Sequence, residues 1–175
     1  MKYSTKTLLL LFMLAAVWTN CGGDDATNPN NNNNNNNNGG TGANSISMTL
    51  NGASWSNTTS GGAVYSDSSG FFILVIGGSN GDQVLSLSII SFTGDITTGN
   101  YTPANGFLGG FIDTSAVIFA VGDTSVGTSQ LQLSKFDRTN QRVSGTFEMN
   151  LKDAINGGTI TIINGKFTDV PLTEN

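Results

Sequence analysis

The stretch that decides the fold is SQLQLSKFDRTNQRVSGTFEMNLK, residues 129–152. Its second half alternates between apolar residues (Val143, Phe147, Met149, Leu151) and polar residues (Ser144, Thr146, Glu148, Asn150, Lys152). Alternation with a period of two is typical of a β-strand with one buried face. The intervening Asp137–Asn140 segment has the composition of a tight turn. The stretch therefore predicts a β-hairpin, with strands over 129–136 and 141–152, that lays one face on a core.

Similar patterns run through the rest of the domain. Ile46, Met48 and Leu50 alternate with polar residues and lead into Asn51-Gly52, a strong hairpin signal. The segment 71–76 is continuously apolar, as in a strand that is covered on both faces. Further strands are expected over 53–59, 62–66, 84–90, 116–121 and 159–168, whereas 93–115 is less regular. Residues 45–175 thus predict a single all-β domain of about nine or ten antiparallel strands in a meander, a β-sandwich or a small closed barrel.

Composition excludes several function classes. The chain has 175 residues, of which 11% are charged, and a net charge of −5. It contains no histidine, which excludes His-based catalytic triads and imidazole metal ligands. One cysteine excludes a disulfide framework and multi-cysteine zinc sites. The acidic balance argues against a nucleic-acid partner, and no cofactor is implied.

Residues 1–20 are predicted to be a signal peptide. Lys2 and Lys6 precede the ten-residue apolar run 8–17, which is too short to span a bilayer. Cys21 follows, and this arrangement resembles the lipobox of bacterial lipoproteins. The resemblance implies that the Cys21 thiol carries a diacylglyceryl group and becomes the first mature residue. Trp18 and Asn20 depart from the usual lipobox, so a secreted protein with a free cysteine is the alternative.

Residues 21–44 are predicted to be a flexible tether that begins with the lipidated Cys21. The tether contains nine consecutive asparagines, 30–38, and cannot form a core. Its first residues, CGGDD at 21–25, resemble the start of Bacteroidota lipoproteins, in which acidic residues soon after the cysteine resemble a signal for export to the cell surface. This resemblance implies an outer-membrane lipoprotein that is displayed on the cell surface.

The carboxy-terminal motifs LSKFD (133–137), VSGTF (143–147) and NGKFTDVP (164–171) carry a second resemblance. They resemble a family of uncharacterised Bacteroidota lipoproteins with a signal peptide, an acidic spacer and one β domain. The family has no assigned activity to carry over. From the residues themselves, Gly145 and Gly165 are interpreted as close-packing or bulge positions, with Phe147 and Phe167 as core residues beside them.

The candidate ligand-binding residues lie in YTPANGFLGGF, residues 101–111. Tyr101, Phe107 and Phe111, joined by Trp55, would form an aromatic lip that stacks on a sugar ring. The competing interpretation is that these rings close one end of the core. The acidic residues of the domain lie mostly at predicted turns. Asp67 or Asp82 is a candidate calcium ligand. The alternative is that these side chains accept hydrogen bonds from their own backbone.

No G-x-S-x-G motif accompanies the abundant serines, so the sequence favours a non-enzyme. The expected function is that of a lipid-anchored binding module for a glycan or nutrient-derived ligand. The alternative is a structural or accessory lipoprotein that docks on another envelope protein, for which an exposed strand edge or apolar patch is expected. In both cases the protein would meet the membrane through the acyl anchor at Cys21.

Overall fold

The computed structural model describes residues 44–59, 61–68, 70–115, 118–120, 128–153 and 158–175. These residues form eleven β-strands and one turn of 3-10 helix at Pro103–Asn105. In chain order the strands are β1 (Ser45–Leu50), β2 (Ala53–Ser56), β3 (Gly62–Ser68), β4 (Phe71–Asn80), β5 (Gln83–Ser91), β6 (Gly99–Tyr101), β7 (Phe107–Ile112), β8 (Ile118–Ala120), β9 (Gln130–Asp137), β10 (Arg142–Asp153) and β11 (Thr159–Glu174).

The described strands belong to one sheet with the order β2-β1-β11-β3-β4-β5-β7-β8-β10-β9-β6. An additional pairing between β10 and β11 folds the sheet over on itself, while β2 and β6 remain as edge strands. The predicted all-β, largely antiparallel domain is confirmed. One pairing is parallel: the end of β11, from Leu172 to Glu174, runs alongside β3 from Ala63 to Tyr65. This pairing departs from a simple meander.

A single hydrophobic core lies inside the folded sheet. It takes alternate residues from nearly every described strand, among them Ile46, Tyr65, Leu87, Phe107 and Phe147. In β10 the predicted inward residues Val143, Phe147, Met149 and Leu151 are all buried. Their neighbours Thr146, Glu148 and Lys152 are exposed. The period-two alternation therefore assigned the two faces of this strand correctly.

Several strands extend beyond their predicted ends. Strand β4 continues past the predicted strand 71–76 to Asn80, because Gly77 and Gly78 continue the ladder opposite Ser86 and Leu85. Strand β11 runs from Thr159 to Glu174, well past the predicted end at Thr168. Pro171 is tolerated in β11 because a proline lacks only the donor for one ladder hydrogen bond.

Two bulges in β11 allow its unusual length. The β10–β11 register shifts between Phe147 and Met149, and again between Val143 and Gly145. In both places β11 contributes one extra residue. Asn164 (φ 54°) and Asp169 (φ 46°) lie at these shifts with positive φ, a conformation that Asn and Asp tolerate better than most residues.

Close packing between glycine and phenylalanine joins β10 to β11. Gly145 faces Phe167 across the ladder, and Phe147 faces Gly165. A Cβ on Gly145 would lie 2.4 Å from the Phe167 ring, and one on Gly165 would lie 2.6 Å from the Phe147 ring. Each ring thus covers the glycine of the opposite strand, and the two ring centroids are 6.4 Å apart. The interpretation of these glycines as close-packing positions is confirmed.

We expect Gly165→Ala to destabilise the domain by about 3 kcal/mol, because the added methyl overpacks a buried site. Its Cβ would also meet the Phe147 carbonyl oxygen at 2.5 Å, and a backbone atom cannot move aside cheaply. The measurement is chemical denaturation of the full chain.

Gly62→Ala in β3 is the matched control, because a Cβ there has no atom within 4 Å. Its free energy of unfolding should stay within about 0.5 kcal/mol of the wild type. Equal stability of the two variants would show that the glycine–phenylalanine packing is not needed.

Candidate functional site

A polar groove of about 510 Å³ lies on the outer face of the sheet, across β6, β9, β10 and β11. Phe147 and Gly165 contribute to its lining together with seven polar residues: Asn100, Gln130, Gln132, Thr146, Glu148, Asn164 and Lys166. The seven polar residues are all exposed. The same strands that bury Leu131, Phe147 and Phe167 inward therefore present a polar surface outward.

Strand register sets the polar side chains in two rows. Asn100 lies opposite Gln132, Gln132 opposite Thr146, and Thr146 opposite Lys166. A second row pairs Gln130 with Glu148. Since neighbouring strands lie about 4.8 Å apart, the four-residue row spans about 14 Å. A row of this length could contact an extended ligand that is built from a few linked rings.

The bulge at Asn164 adds a further amide to the second row. Counted from the buried Ile162, strict alternation would turn Asn164 inward as well. With the bulge, Ile163 and Asn164 are both exposed, and Ile163 is 43% exposed. Gly165 directly after them lets the backbone approach Phe147. The bulge thus helps to shape both the core and the groove.

The seven polar side chains of the groove make no hydrogen bond or ion pair with other residues in the part of the chain that the structure describes. Other polar side chains of the described surface are engaged: Lys135 pairs with Asp169 at 2.9 Å, and Thr161 bonds to Asn150 at 3.1 Å. The groove therefore offers amide, hydroxyl, carboxylate and ammonium groups to a ligand. Its single acid, Glu148, and its single base, Lys166, give it no net formal charge.

The aromatic residues that the sequence singled out do not form a surface lip. Trp55, Phe107 and Phe111 are buried at 5%, 0% and 1% exposure, and all three belong to the core. The Trp55 and Phe111 rings pack edge to face with centroids 6.3 Å apart. The prediction of ligand stacking by these rings is corrected, because their positions in β2 and β7 point inward. The competing interpretation, in which these rings close one end of the core, agrees with the burial of Phe107 and Phe111.

Tyr101 occupies a position between the core and the surface. Its ring is half-buried and packs against the core. Its hydroxyl donates to the Thr97 carbonyl at 2.6 Å and accepts from the Thr97 amide at 3.1 Å. The side chain therefore holds the loop before β6 and does not extend as a free aromatic ring.

The exposed aromatic pair lies elsewhere, at Phe71 and Phe92. Phe92 is 72% exposed and Phe71 is half-buried. Their ring centroids are 5.0 Å apart. Sequence reasoning assigned Phe71 to a strand covered on both faces and did not single out Phe92. The apolar run 71–76 is the signal that could have located Phe71, because the first residue of this run lies at the end of a strand.

A charged cluster lies at the end of the sheet where β3 and β11 finish. Arg138 binds Glu174 with two hydrogen bonds, of 2.8 and 2.9 Å, and lies 3.5 Å from Asp95. Its guanidinium lies 4.7 Å from the centre of the Tyr65 ring. The buried Tyr65 hydroxyl donates to Asp95 at 2.5 Å. The cluster therefore ties the last strand, the β9–β10 turn and the loop after β5 together.

Burial, followed by the hydrogen bond to Asp95, raises the pKa of the Tyr65 hydroxyl. The hydrogen bonds from Arg138 hold the pKa of Glu174 below its ordinary value of 4.5. Lys135 likewise lowers the pKa of Asp169. The shifts of Glu174 and Asp169 follow from ion pairs between residues far apart in the chain, which fits a structural role for both pairs.

The other predicted sites are Cys21 with its tether and the acidic residues Asp67 and Asp82. Cys21 and residues 22–43 lie outside the described residues. Asp67 and Asp82 are exposed. Among the described residues no group of three or more acidic, histidine or cysteine side chains is placed to hold a metal ion. In the same part of the chain, no helix has the length and hydropathy needed to cross a membrane.

We expect Glu174→Gln to lower the melting temperature at pH 7, and we expect this effect to shrink as the pH falls toward 2. The folded-state pKa of Glu174 is depressed, so its stabilisation is present above the unfolded pKa of about 4.5 and is lost as the pH falls through the folded value. Thermal unfolding of both proteins across pH 2–7 measures this difference, and a constant difference over that range would contradict the assignment. Glu148→Gln is the control, because Glu148 is exposed and has no ion-pair partner among the described residues.

The comparisons with known proteins place the domain in a family. No curated protein and no solved structure matches the chain. A family model described as a domain of unknown function, DUF6252, matches residues 42–171, which is more than half of the chain and covers β1 to β10 in full. The chain therefore belongs to the DUF6252 family.

Proposed function

We propose that this protein is a lipid-anchored cell-envelope protein, displayed on the outer-membrane surface, that binds a glycan or another polyhydroxylated nutrient ligand without catalysis. The observation that carries the proposal is the outward polar groove across β6, β9, β10 and β11. The groove replaces the aromatic segment 101–111 as the candidate binding site.

The chemistry of the groove fits sugar hydroxyls. Each carboxamide of Asn100, Gln130, Gln132 and Asn164 offers both donors and an acceptor. A sugar hydroxyl also donates and accepts, so it matches these groups without a net charge. The volume of about 510 Å³ lies within the range of ordinary ligand sites. The balance of Glu148 and Lys166 favours a neutral ligand over a strongly anionic one.

Binding without catalysis is supported by the arrangement of acids in the groove. Hydrolysis of a glycosidic bond ordinarily uses two carboxyl groups about 5–10 Å apart. Of the residues that line the groove, only Glu148 has a carboxylate. The groove therefore supplies contacts for a ligand but not the usual pair of acids that would cleave it.

The anchor is proposed from the sequence. A ten-residue apolar run followed by Cys21 suits lipid attachment at the thiol, and each buried methylene of an acyl chain contributes about 0.8 kcal/mol to membrane binding. The asparagine-rich tether before β1 would hold the groove clear of the lipid headgroups, with an average span of roughly 25 Å. This position suits the capture of soluble ligands outside the cell.

A second candidate function is docking on another envelope protein. It is favoured by the exposed Phe71–Phe92 pair, because a large exposed aromatic side chain is a common anchor of protein interfaces. The two functions are compatible, because Phe71 begins β4 and Phe92 directly follows β5, so the pair shares no strand with the groove.

We expect Gln132→Ala and Lys166→Ala each to weaken glycan binding about tenfold, which is the effect of losing a hydrogen bond worth about 1.4 kcal/mol. The measurement is a screen of the full chain on an array of neutral oligosaccharides, followed by calorimetry with the tightest binder. Both side chains are exposed, so the melting temperature should not change.

Lys152→Ala is the matched control for Lys166→Ala, because Lys152 is also exposed and lies outside the groove. Its affinity should equal that of the wild type. If no array glycan binds, or if binding survives both groove substitutions, the groove is not a glycan site.

We expect Cys21→Ala to release the protein from the membrane fraction, because the acyl chains are its only proposed anchor. Proteolysis of intact cells should remove the wild-type domain, and mass spectrometry should find an acylated Cys21 at the amino terminus. An acylated terminus with a protected domain would contradict surface display. An unmodified terminus would contradict the lipoprotein assignment and would point to Trp18 and Asn20 as the reason.

A further inference from the structure

The outer polar surface continues past the groove onto β1 and β2. Lys166, the last member of the four-residue row, pairs with Ser47 on the other side of β11, and Ser47 pairs with Ser56. Paired residues share one face of a sheet, so both serines lie on the outer face with Lys166. The buried Ile46 and Met48, on either side of Ser47, point into the core. The row therefore crosses six neighbouring strands, from β6 to β2.

The second row of the groove continues in the same direction. Glu148 in β10 faces the bulge residues Ile163 and Asn164. On the other side of β11, Ile163 pairs with Thr49, and Thr49 pairs with Ser54. The hydroxyl groups that β1 and β2 add to the two rows make no hydrogen bond with other residues in the part of the chain that the structure describes, so they are available to a ligand.

An exposed apolar side chain lies within this polar surface. Ile163 is 43% exposed, and it lies between the groove and Thr49. A sugar ring carries apolar C–H groups as well as hydroxyls, and covering an exposed apolar side chain with them removes apolar area from water. Ile163 therefore provides an apolar contact where the hydroxyl and amide groups around it provide hydrogen bonds.

The surface added by β1 and β2 is electrically neutral. Residues 45–56, which form these two strands and the turn between them, include no charged residue. Glu148 and Lys166 are therefore the only charged residues in the two rows, and their formal charges balance. A strongly anionic or cationic ligand gains no net attraction from such a surface, whereas a neutral ligand with many hydroxyls can form hydrogen bonds along its whole length.

Strand spacing and sheet twist limit the form of the ligand. Six strands about 4.8 Å apart give a row of about 24 Å. A sugar residue in an extended chain is about as long as one strand spacing, so the whole row faces about five sugar residues and the groove alone about three. Neighbouring strands are rotated by about 20–25°, so the outward direction turns by roughly 100° from β6 to β2. A single chain with rotatable glycosidic bonds can follow this turn, but the flat face of a polysaccharide crystal cannot.

We propose that the binding site extends from the groove over β1 and β2 and takes a linear, neutral oligosaccharide as a single chain that lies across the strands, with Ser47, Ser56 and Ile163 as contact residues. This inference rests on the proposed glycan-binding function and adds the class and the length of the glycan. A protein segment fits the added surface less well, because protein interfaces are anchored by large aromatic or arginine side chains, whereas β1 and β2 present serine and threonine to this face.

The test is calorimetry of the detergent-solubilised full chain with cello-, xylo-, manno- and malto-oligosaccharides of two to six residues. In a series that binds, the affinity should rise up to five residues and then level off, and the five-residue ligand should bind at least tenfold more tightly than the three-residue ligand. The double variant Ser47→Ala/Ser56→Ala should reduce the affinity for the five-residue ligand to about that for the three-residue ligand, because each lost hydrogen bond costs up to about tenfold. Ile163→Ser should lower the affinity for the five-residue ligand severalfold.

Ser66→Ala is the matched control, because Ser66 is also a half-buried serine on a strand, β3, and belongs to neither row. Its affinity for every oligosaccharide should equal that of the wild type. Equal melting temperatures of all these variants would show that the differences in affinity do not come from unfolding.

The other outcomes overturn the extended site in distinguishable ways. Binding that levels off at three residues, or a five-residue affinity that survives the double variant, would overturn the extension and keep the groove as a glycan site. Binding to microcrystalline cellulose without binding to any soluble oligosaccharide would overturn the single chain and assign the surface to a crystalline polysaccharide. No binding at any length, in solution or to cellulose, would overturn the groove as a glycan site and the extension with it.

Discussion

The reciprocal packing of Gly145 under Phe167 and of Gly165 under Phe147 is the constraint on which the rest of the structure depends. It brings β10 and β11 together in the one register that buries both rings, since a slip of one residue would turn every side chain to the opposite face. The bulges of β11 fit around this contact. The same register sets Thr146 beside Lys166 on the outside, so the packing of the core also builds the polar groove.

Two parts of the sheet have outer faces of different chemistry. The outer face of β6, β9, β10 and β11 is polar and carries the groove, whereas that of β4 and β5 carries the apolar side chains of Ile73, Val75 and Ile90. Inward, both regions contribute to one core. A single folded sheet therefore presents two chemically different outer surfaces around one core, because alternation separates the side chains that each strand buries from those that it exposes.

The charged cluster of Arg138, Asp95 and Glu174 joins segments that are far apart in the chain. It fixes the loop after β5 to the turn between β9 and β10 and to the end of β11 through Asp95 and Glu174. No local pattern marks these residues, because Tyr65, Asp95, Arg138 and Glu174 are far apart in the chain and each looks like an ordinary strand or turn residue. Their contact depends on the parallel pairing of β3 with β11, which is non-local.

By itself the sequence determined the all-β class, the hairpin of β9 and β10, the inward face of β10 and the special role of Gly145 and Gly165, since period-two alternation and glycine spacing are local properties. It could not decide which aromatic side chains reach the surface. Trp55, Phe107 and Phe111 look as available as Phe92 in the sequence, yet register turns the first three inward and leaves Phe92 exposed just beyond the end of β5. The groove, too, was decided only by the tertiary structure, because Asn100, Gln132, Thr146 and Lys166 meet solely through pairings between four strands.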